Sequence, residues 1–420
     1  MNFVGTLGFS IVVPFLVFLV TKWGGNALVY GLMGATYSAF QLIGAPILGR
    51  WSDRYGRRKI LLLSQLGTVV SWIVFLIAFF VPVRIVGDVD STTLGQFTLT
   101  LPLILLFLAR AADGITGGNV SVANAYLADI TDEENRSRNF GRMALSGNLG
   151  FVLGPALAGL LGATIYGEIL PVVAALVISI LAALIIVFGL KEYDPCTLYR
   201  PPEPRSLRKI FGQEHKECFK IHSPEKVTFS TILNIAEVPR LLVIYFLVML
   251  GFSFFYIGFP VHAVRELQWT VTGTGTFFAY LSLLMVVVQG PILARASKKL
   301  PDRTIAIGGA LILTIGFMSL YWDNIKVIYF AATLIALGNG LMWPSVMAML
   351  ANAAGEQHQG AVQGAGGSIG AIASIVGLIG GGLLYNWLGG WVFVLAAIVV
   401  LPVSIISLGI RRPAPRELLR

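Results

Sequence analysis

The strongest constraint on this chain is a series of apolar runs, each about twenty residues long, separated by polar bends. A helix needs about 20 such residues to cross the hydrocarbon core of a bilayer. We read about twelve runs, at residues 2–20, 28–48, 60–82, 101–123, 143–165, 169–190, 239–260, 273–294, 304–322, 325–350, 361–386 and 388–410. Only 12% of the residues are charged, against about 25% in a soluble domain. We therefore predict an all-α integral membrane protein, and we find no alternating strands of the kind that a β-barrel requires.

The net charge of +9 is unevenly distributed. Of the 30 Lys and Arg residues, 25 fall in the bends and tail that the span order places on one side. Because basic loops stay in the cytoplasm, we predict a multi-pass protein of the cell (inner) membrane with both termini cytoplasmic. The charge is thus a topology signal and does not indicate nucleic acid. The first run lacks a basic leader and a cleavage site, so we expect a retained helix.

A long polar stretch divides the spans six and six. We predict an N-terminal six-helix bundle at 1–190, a cytoplasmic linker at 191–238, a C-terminal six-helix bundle at 239–410 and a cytoplasmic tail at 411–420. An internal repeat supports this division, because "GAPILGRWSDRYGRRK" (44–59) aligns with "QGPILARASKKLPDRT" (289–304). Parallel six-helix repeats are typical of one transporter architecture, whose substrate site lies near the bilayer midplane.

The linker offers two readings, a basic amphipathic helix on the inner leaflet or a solvated loop. His215, Cys218 and His222 lie near one another in it, but a fourth ligand is missing, which favours a plain loop over a metal site. Both cysteines of the chain, Cys196 and Cys218, fall in this reducing compartment, so no disulfide is expected. With no nucleophile–base pair or metal cluster in any span, we predict no enzyme activity, no metal and no cofactor.

Half of the residues in "GRWSDRYGRRKI" (49–60) are charged. Gly49 would let helices approach closely and Gly56 would permit a sharp turn, while the arginines hold the bend in the cytoplasm. The stretch resembles the loop signature between the second and third helices of the major facilitator superfamily. The resemblance implies that Asp53 docks at the start of the eleventh helix, near Gly360 and Gln363. A carboxylate at a helix N-terminus gains about 0.3–1 kcal/mol, so the contact would latch the two halves. The alternative is a pure topology anchor.

The fourth span, "LARAADGITGGNV" (108–120), carries the charges that we place well inside the bilayer, Arg110 and Asp113. Ionisable residues are costly there and usually functional, and these two are neighbours on a helix at i and i+3. Arg110, Gly114 and Gly117 are similar to a superfamily signature whose arginine is associated with proton transfer, whereas the usual residue at position 113 is uncharged. The alternative is that the two charges simply neutralise each other.

The fifth span, "GNLGFVLGPALAGLLG" (147–162), resembles the signature associated with antiporters. Glycines at four-residue spacing permit tight helix packing, and a proline loosens the helix and allows a bend. Ordinary glycine packing is the alternative. The helix-bending residues expected from the resemblance are Gly150, Gly154, Pro155 and Gly159.

Within the superfamily the chain is similar to tetracycline/proton antiporters, a drug-efflux branch, at residues 125–141 and 356–364 and at Tyr37, Gln41, Ala45 and Pro46. That resemblance implies a charge network of Asp129 with Arg54 or Arg57. It also implies an acid early in the first helix, where this chain has Gly5, and we see none in the ninth span. We infer that proton coupling has moved to Asp113. The gating residues expected are Gly49, Asp53, Arg54, Gly56, Arg57, Arg58 and Asp129.

We expect a monomeric secondary transporter that exports a small amphipathic molecule in exchange for protons. Polar and aromatic side chains in apolar helices suit a ligand of mixed polarity. The candidate substrate-binding residues are Tyr37, Gln41, Asn119, Asn148, Tyr256, Gln289, Asn339 and Trp343, with Arg110 and Asp113 as the proton-coupling pair. The alternatives are an uncoupled facilitator, a nutrient symporter or a sensor that transports nothing.

Overall fold

The computed structural model describes residues 2–117, 119–131, 133–191 and 229–410 of the 420-residue chain. The linker from 192 to 228 and the tail from 411 lie outside the described residues. The helices of the first half are α1 (Asn2–Lys22), α2 (Ala27–Tyr55), α3 (Arg57–Ile77), α4 (Leu101–Thr116), α5 (Asn119–Asp129), α6 (Glu133–Gly162) and α7 (Ile169–Gly189). Those of the second half are α8 (Phe229–Leu233), α9 (Val238–Arg265), α10 (Val271–Val287), α11 (Leu293–Lys299), α12 (Asp302–Ser319), α13 (Ile325–Leu388) and α14 (Trp391–Leu408). A π-helical turn, Val288–Ile292, joins α10 to α11.

The predicted all-α membrane fold is confirmed. In the described part of the chain, eight helical stretches are long and apolar enough to cross a bilayer, two of them within α13, and α1 adds a ninth if its two parts, bent by 42°, form one span. The bend in α1 lies between Phe3–Val12 and Phe15–Lys22, where Pro14 lacks the backbone N–H that a helix needs. Each of the twelve predicted runs overlaps one or more helices, because an apolar run of bilayer length satisfies its backbone polar groups in lipid by becoming helical.

Helix α13 joins two predicted spans without a break. It has 64 residues, and it contains two apolar stretches of spanning length, Ile325–Ala354 and Ala361–Leu388. The helical backbone runs through Gly360, and the docking of Asp53 near that position stays a prediction.

A two-stranded antiparallel hairpin was not predicted from the sequence. Strands β1 (Ile85–Ser91) and β2 (Gly95–Thr100) pair in the bend between α3 and α4. Hydropathy could not find it, since its two Asp residues face outward between short apolar side chains. The hairpin is tied to the turn that follows α1, where Thr98 N donates to Gly24 O at 2.8 Å.

The described contacts divide the chain into two compact units. The first comprises Met1–Asn26, Thr36–Lys226 and Thr270–Thr276, and the second comprises Ala27–Ala35, Val227–Trp269 and Phe277–Arg420. Each unit therefore includes a short segment from the other half of the sequence. The domain limits predicted from the sequence do not include this exchange, and they stay a prediction.

The internal repeat is visible in matching hydrogen bonds. In the first copy, the side chain of Arg50 donates from Nε to Pro46 O at 3.2 Å. In the second copy, Arg295 donates from Nη1 to Pro291 O at the same distance of 3.2 Å. In both copies the guanidinium reaches back one turn to the carbonyl of the proline, so the shared Pro-Ile-Leu-x-Arg sequence has the same local consequence twice.

A second matched pair of arginines holds the last helix of each half. Arg58 donates from Nε to Ile186 O at 3.3 Å, close to the end of α7. Arg303, at the equivalent position of the repeat, donates to Leu408 O at the end of α14. The last carbonyls of a helix lack intrahelical donors, so a guanidinium there satisfies an acceptor and complements the helix dipole.

Candidate functional site

Two charged side chains lie buried in the middle of the first unit. Arg110 and Asp113 occupy the last two turns of α4, and 3% and 9% of their surfaces are exposed. Arg110 Nη1 lies 3.7 Å from Asp113 Oδ2, which is an ion pair at a distance longer than a strong hydrogen bond. Thr68 of α3 hydrogen-bonds the Asp113 carboxylate. The i, i+3 contact predicted from the sequence is therefore present, and it is supported from a neighbouring helix.

Tyr37 of α2 completes this charged cluster. The Arg110 guanidinium carbon lies 4.8 Å from the centroid of the Tyr37 ring, which is the geometry of a cation–π contact. The amide nitrogen of Gln41 donates to the Tyr37 hydroxyl at 3.2 Å and to Gly117 O at 3.1 Å. The structure thus brings together four predicted residues from two helices, and we call Tyr37, Gln41, Arg110 and Asp113 the buried cluster.

Glycines let α2 and α4 approach closely enough to form the buried cluster. A Cβ atom added to Gly114 would lie 2.5 Å from Tyr37 O and 2.9 Å from Phe40 Cβ. At Gly44 an added Cβ would lie 2.7 Å from the carbonyl carbon of Ile115. Since real Cβ atoms essentially never approach so closely, larger residues at these positions would push the helices apart. The glycines are therefore part of how Tyr37 reaches Arg110.

The predicted loop motif forms an ion-paired corner in the first unit. Arg57, with 7% of its surface exposed, places Nε 2.7 Å from Asp129 Oδ2 and donates from Nη1 to Ser52 Oγ at 2.7 Å. Gly56 precedes α3 with φ 102°, a conformation that favours glycine. The resemblance left Arg54 or Arg57 open as the partner of Asp129, and the structure pairs it with Arg57. The gating role of this corner stays a prediction.

The other residues of the loop motif are distributed differently. The Arg54 guanidinium lies 5.3 Å from the ring centroid of its neighbour Tyr55, and Arg58 contacts the end of α7. No described atom lies within 4 Å of a Cβ added to Gly49, so the close approach expected there is not seen in the described residues. The side chain of Asp53 lies outside them, and its latch to the second half stays a prediction.

The predicted residues of the second unit lie on several helices. Tyr256 of α9 stacks on Phe278, with ring centroids 6.2 Å apart and planes 6° apart. Trp343 of α13 contacts Tyr245 edge-on at 4.9 Å. Gln289 lies in the π-helical turn, a feature often found at functional sites, and its Cγ is 3.7 Å from a Cβ added to Gly340, next to half-buried Asn339.

The remaining predicted residues belong to α5 and α6. The side chains of Asn119 and Asn148 lie outside the described residues. Gly150 and Gly154 face α1, where Ser10 Oγ donates to Gly150 O at 2.8 Å, and a Cβ added to Gly154 would lie 2.8 Å from Ile11 N. Pro155 is inside α6, which continues to Gly162. The predicted helix bending at these residues stays a prediction.

One polar cluster was missed by sequence reasoning. His262 near the end of α9 contacts Asp323 and Tyr385, which are 61 and 123 residues away. The signal available in the sequence was a histidine next to the end of an apolar run, which is weak because its partners are so distant. In the described part of the chain, no group of three His, Cys, Asp or Glu residues is arranged to hold a metal ion.

Helices of bilayer length, an internal repeat and buried charges within the spans define a multi-pass membrane transporter. The sequence profile of the Major Facilitator Superfamily matches residues 1–287 and, in a second match, 241–420. The chain therefore belongs to the Major Facilitator Superfamily, as the loop motif predicted, and it is a transporter and not an enzyme. It is 27% identical over 349 residues to the tetracycline resistance protein, class C, of Escherichia coli, which covers 83% of this chain and 78% of that protein.

Solved structures of transporters show the same fold. The crystal structure of the human organic anion transporter MFSD10 (TETRAN) superposes with a TM-score of 0.65 at 20% identity, covering 97% of this chain and 96% of that one. The D-xylose-proton symporter superposes with a TM-score of 0.71 at 12% identity, covering 98% of this chain and 96% of that one. At these identities the likeness concerns the fold alone.

Proposed function

We propose that this transporter is a proton-coupled exporter of small amphipathic molecules, with Arg110 and Asp113 as the coupling pair. The observation that carries the proposal is the buried cluster. An ion pair on α4, with an aromatic face and an amide from α2 beside it, joins a proton acceptor to groups that suit a ligand of mixed polarity. Ionisable residues inside a membrane are costly and are usually retained for function.

The coupling follows from two opposing effects on the Asp113 carboxylate. Removal from water penalises the ionised form of a carboxyl group, while a nearby guanidinium stabilises it. Entry of water or substrate beside Arg110 changes both effects, because it alters the solvation of the carboxylate and the distance between the charges. Asp113 then gains or releases a proton as the site exchanges between the two sides. Such exchange is the requirement for coupling substrate movement to a proton gradient.

The related sequences and the charge distribution support the remaining parts of the proposal. Proteins named for tetracycline resistance are among the relatives, which favours efflux. Gly5 stands where the resembling antiporters carry an acid, so we assign coupling to Asp113. The concentration of basic residues on one side supports an inner-membrane protein with cytoplasmic termini. We expect the monomer to be the transporting unit.

The test is substrate flux in proteoliposomes with and without an imposed pH gradient, using tetracycline as the first probe. We expect wild type to accumulate the probe only with the gradient. Asp113→Asn should retain binding but lose acceleration by the gradient, since an amide cannot exchange the proton. Arg110→Ala should impair both binding and coupling. Asp90→Asn, an isosteric change of an exposed acid in the hairpin, is the matched control and should behave as wild type.

The outcomes separate the alternatives. If Asp113→Asn still accumulates the probe against its gradient, the coupling site lies elsewhere. Wild-type flux that ignores the gradient would indicate an uncoupled facilitator. Flux in the same direction as the protons would indicate a symporter. If no probe from a panel of amphipathic compounds moves, although several stabilise the purified protein against heat, the sensor reading replaces ours.

A further inference from the structure

The far end of α9 carries a histidine that the proposed coupling mechanism does not use. His262 belongs to the second unit, and 4% of its surface is exposed. Its Nε2 atom lies 2.7 Å from Oδ1 of Asp323, in the connection between α12 and α13. Its Nδ1 atom lies 3.1 Å from the hydroxyl of Tyr385, near the end of α13. Three separate segments of one unit therefore meet at a single imidazole ring.

The hydrogen-bond chemistry of these partners accommodates two protonation states. An ionised carboxylate can only accept, so Nε2 must carry a proton and donate it to Asp323. The neutral ring then leaves Nδ1 as an acceptor for the Tyr385 hydroxyl. In the imidazolium Nδ1 becomes a donor, and the hydroxyl accepts instead by rotating about its C–O bond. Neither state loses a hydrogen bond, so the ring can take up a proton without moving a heavy atom.

The charges around the ring are mixed. His262 is in the last turn of α9, where the helix dipole favours a cation. Two carboxylates, Asp323 and Glu266, line the same cavity as the ring. Arg265 opposes them, although its guanidinium is directed to the side-chain oxygen of Asn386 at 3.5 Å. The residue of α14 that contacts the His262 ring is the uncharged Phe393. The two rings pack edge to face, with centroids 5.4 Å apart.

A cavity gives the buried ring a connection to water. It has a volume of about 380 Å³ and is lined by His262, Glu266, Asp323 and aromatic side chains, among them Trp322 and Trp391. The Asp323 side chain is 57% exposed. The His262 ring therefore lines a cavity that reaches an exposed carboxylate, and a proton from solution can approach the ring without opening of the helices.

We propose that His262, Asp323 and Tyr385 form a proton-binding site in the second unit, separate from the coupling pair in the first. Histidine is a side chain that proteins commonly use to take up and release a proton. Binding of the proton converts the hydrogen bond to Asp323 into a charge-assisted ion pair, which is the stronger interaction. The contact among α9, α13 and the α12–α13 connection is therefore tighter in acid and looser in base.

The direct test uses the full-length protein in lipid nanodiscs without substrate, labelled with ¹⁵N-histidine. The chain has four histidines, and the resonances missing in His262→Gln identify the ring. We expect these resonances to change between pH 8 and pH 5 as Nδ1 gains a proton. If they keep the chemical shifts of a neutral ring across that range, the proposal is wrong. If His262→Gln does not fold, the ring can be identified by the resonances that shift in Asp323→Asn, because that substitution changes an exposed side chain.

A second measurement tests the tightened contact. We expect the melting temperature of wild type to rise from pH 8 to pH 5.5 by more than that of Asp323→Asn, which retains a hydrogen-bonding group but no charge. His222→Gln, which replaces a histidine of the linker, is the control. Its melting temperature should rise between pH 8 and pH 5.5 by as much as that of wild type. Equal pH differences in wild type and Asp323→Asn would overturn the proposed ion pair. Because no substrate or gradient is present, neither result depends on the role of Asp113.

Discussion

At the scale of single residues, the buried cluster shows how an arginine is accommodated inside a spanning helix. Arg110 has a carboxylate 3.7 Å away on its own helix and an aromatic face 4.8 Å away on α2. The face of an aromatic ring attracts a cation without supplying a hydrogen-bond acceptor. Tyr37 therefore stabilises the charge of Arg110 whichever protonation state Asp113 adopts. We infer that the ring of Tyr37 contributes more to transport than its hydroxyl does.

Two substitutions of Tyr37 test this order of importance. Tyr37→Phe keeps the ring and removes the acceptor for Gln41, so we expect gradient-driven uptake within about threefold of wild type. Tyr37→Leu removes the cation–π contact, which is worth about 1–2 kcal/mol in a dry site, and should lower uptake about tenfold. Both are measured in proteoliposomes at equal protein content. A loss with phenylalanine as large as that with leucine would show that the hydroxyl is the essential group.

The sequence could predict residue contacts that are local and could not predict distant ones. The pair Arg110 and Asp113 follows from helical spacing alone, and a resemblance gave Arg54 or Arg57 as the partner of Asp129. The His262 cluster had no such route, because 61 and 123 residues separate the histidine from its partners. Such contacts depend on how helices are arranged in the unit, which a hydropathy pattern does not specify.

At the scale of secondary-structure elements, glycine sets how closely the helices pack. In the first unit, a Cβ added to Gly159 of α6 would lie 2.9 Å from Cα of Gly275 in α10. In the second unit, a Cβ added to Gly382 of α13 would lie 3.0 Å from Cα of Leu28 in α2. Without a hydrophobic effect between helices in lipid, such close packing is a main source of their association.

Alanine substitution separates close-packing glycines from exposed ones. Gly159→Ala forces two backbones apart, and overpacking of this kind typically costs about 1–3 kcal/mol. Gly308→Ala in α12, where an added Cβ meets nothing within 4 Å, should be neutral or stabilising by up to about 1 kcal/mol. The measurement is the melting temperature of each variant in one detergent. Similar shifts for both would mean that the α6–α10 contact does not limit stability.

Elements were predictable where length and hydropathy determine them. Apolar runs of spanning length became helices, and Gly56 indicated the turn before α3. The hairpin was missed because each strand is only six or seven residues long and its alternation includes Asp88 and Asp90. The sequence did not predict that α13 is continuous, because the polar stretch near Gly360 resembles a loop although its backbone is helical.

At the scale of the whole molecule, the orientation of the chain in the membrane follows from the placement of charge. The bends with few basic residues include the one that contains the hairpin, and the linker contains many. Moving basic loops across a membrane is disfavoured, so the bias sets the overall topology. The hairpin should therefore face the outside of the cell and the linker the cytoplasm.

Labelling with a membrane-impermeant maleimide tests this orientation. Thr92→Cys, exposed in the hairpin turn, should react in intact cells when Cys196 and Cys218 are replaced by serine. In the parent protein the two native cysteines provide the matched control, and they should react only after the membrane is permeabilised. Labelling of the native cysteines in intact cells, with Thr92→Cys protected, would reverse the predicted topology.

The hairpin also offers a practical handle for imaging. Thr98 N bonds Gly24 O at 2.8 Å, Thr100 Oγ1 bonds Trp23 O at 2.8 Å, and Asn26 Nδ2 bonds Leu94 O at 2.9 Å. A transporter of 420 residues inside a detergent micelle presents few features by which electron cryomicroscopy can align particle images. These hydrogen bonds hold the hairpin at several points to the turn between α1 and α2, so an antibody fragment bound to the hairpin would be fixed relative to that turn. It would serve as a fiducial marker that reports the orientation of the first unit in each particle.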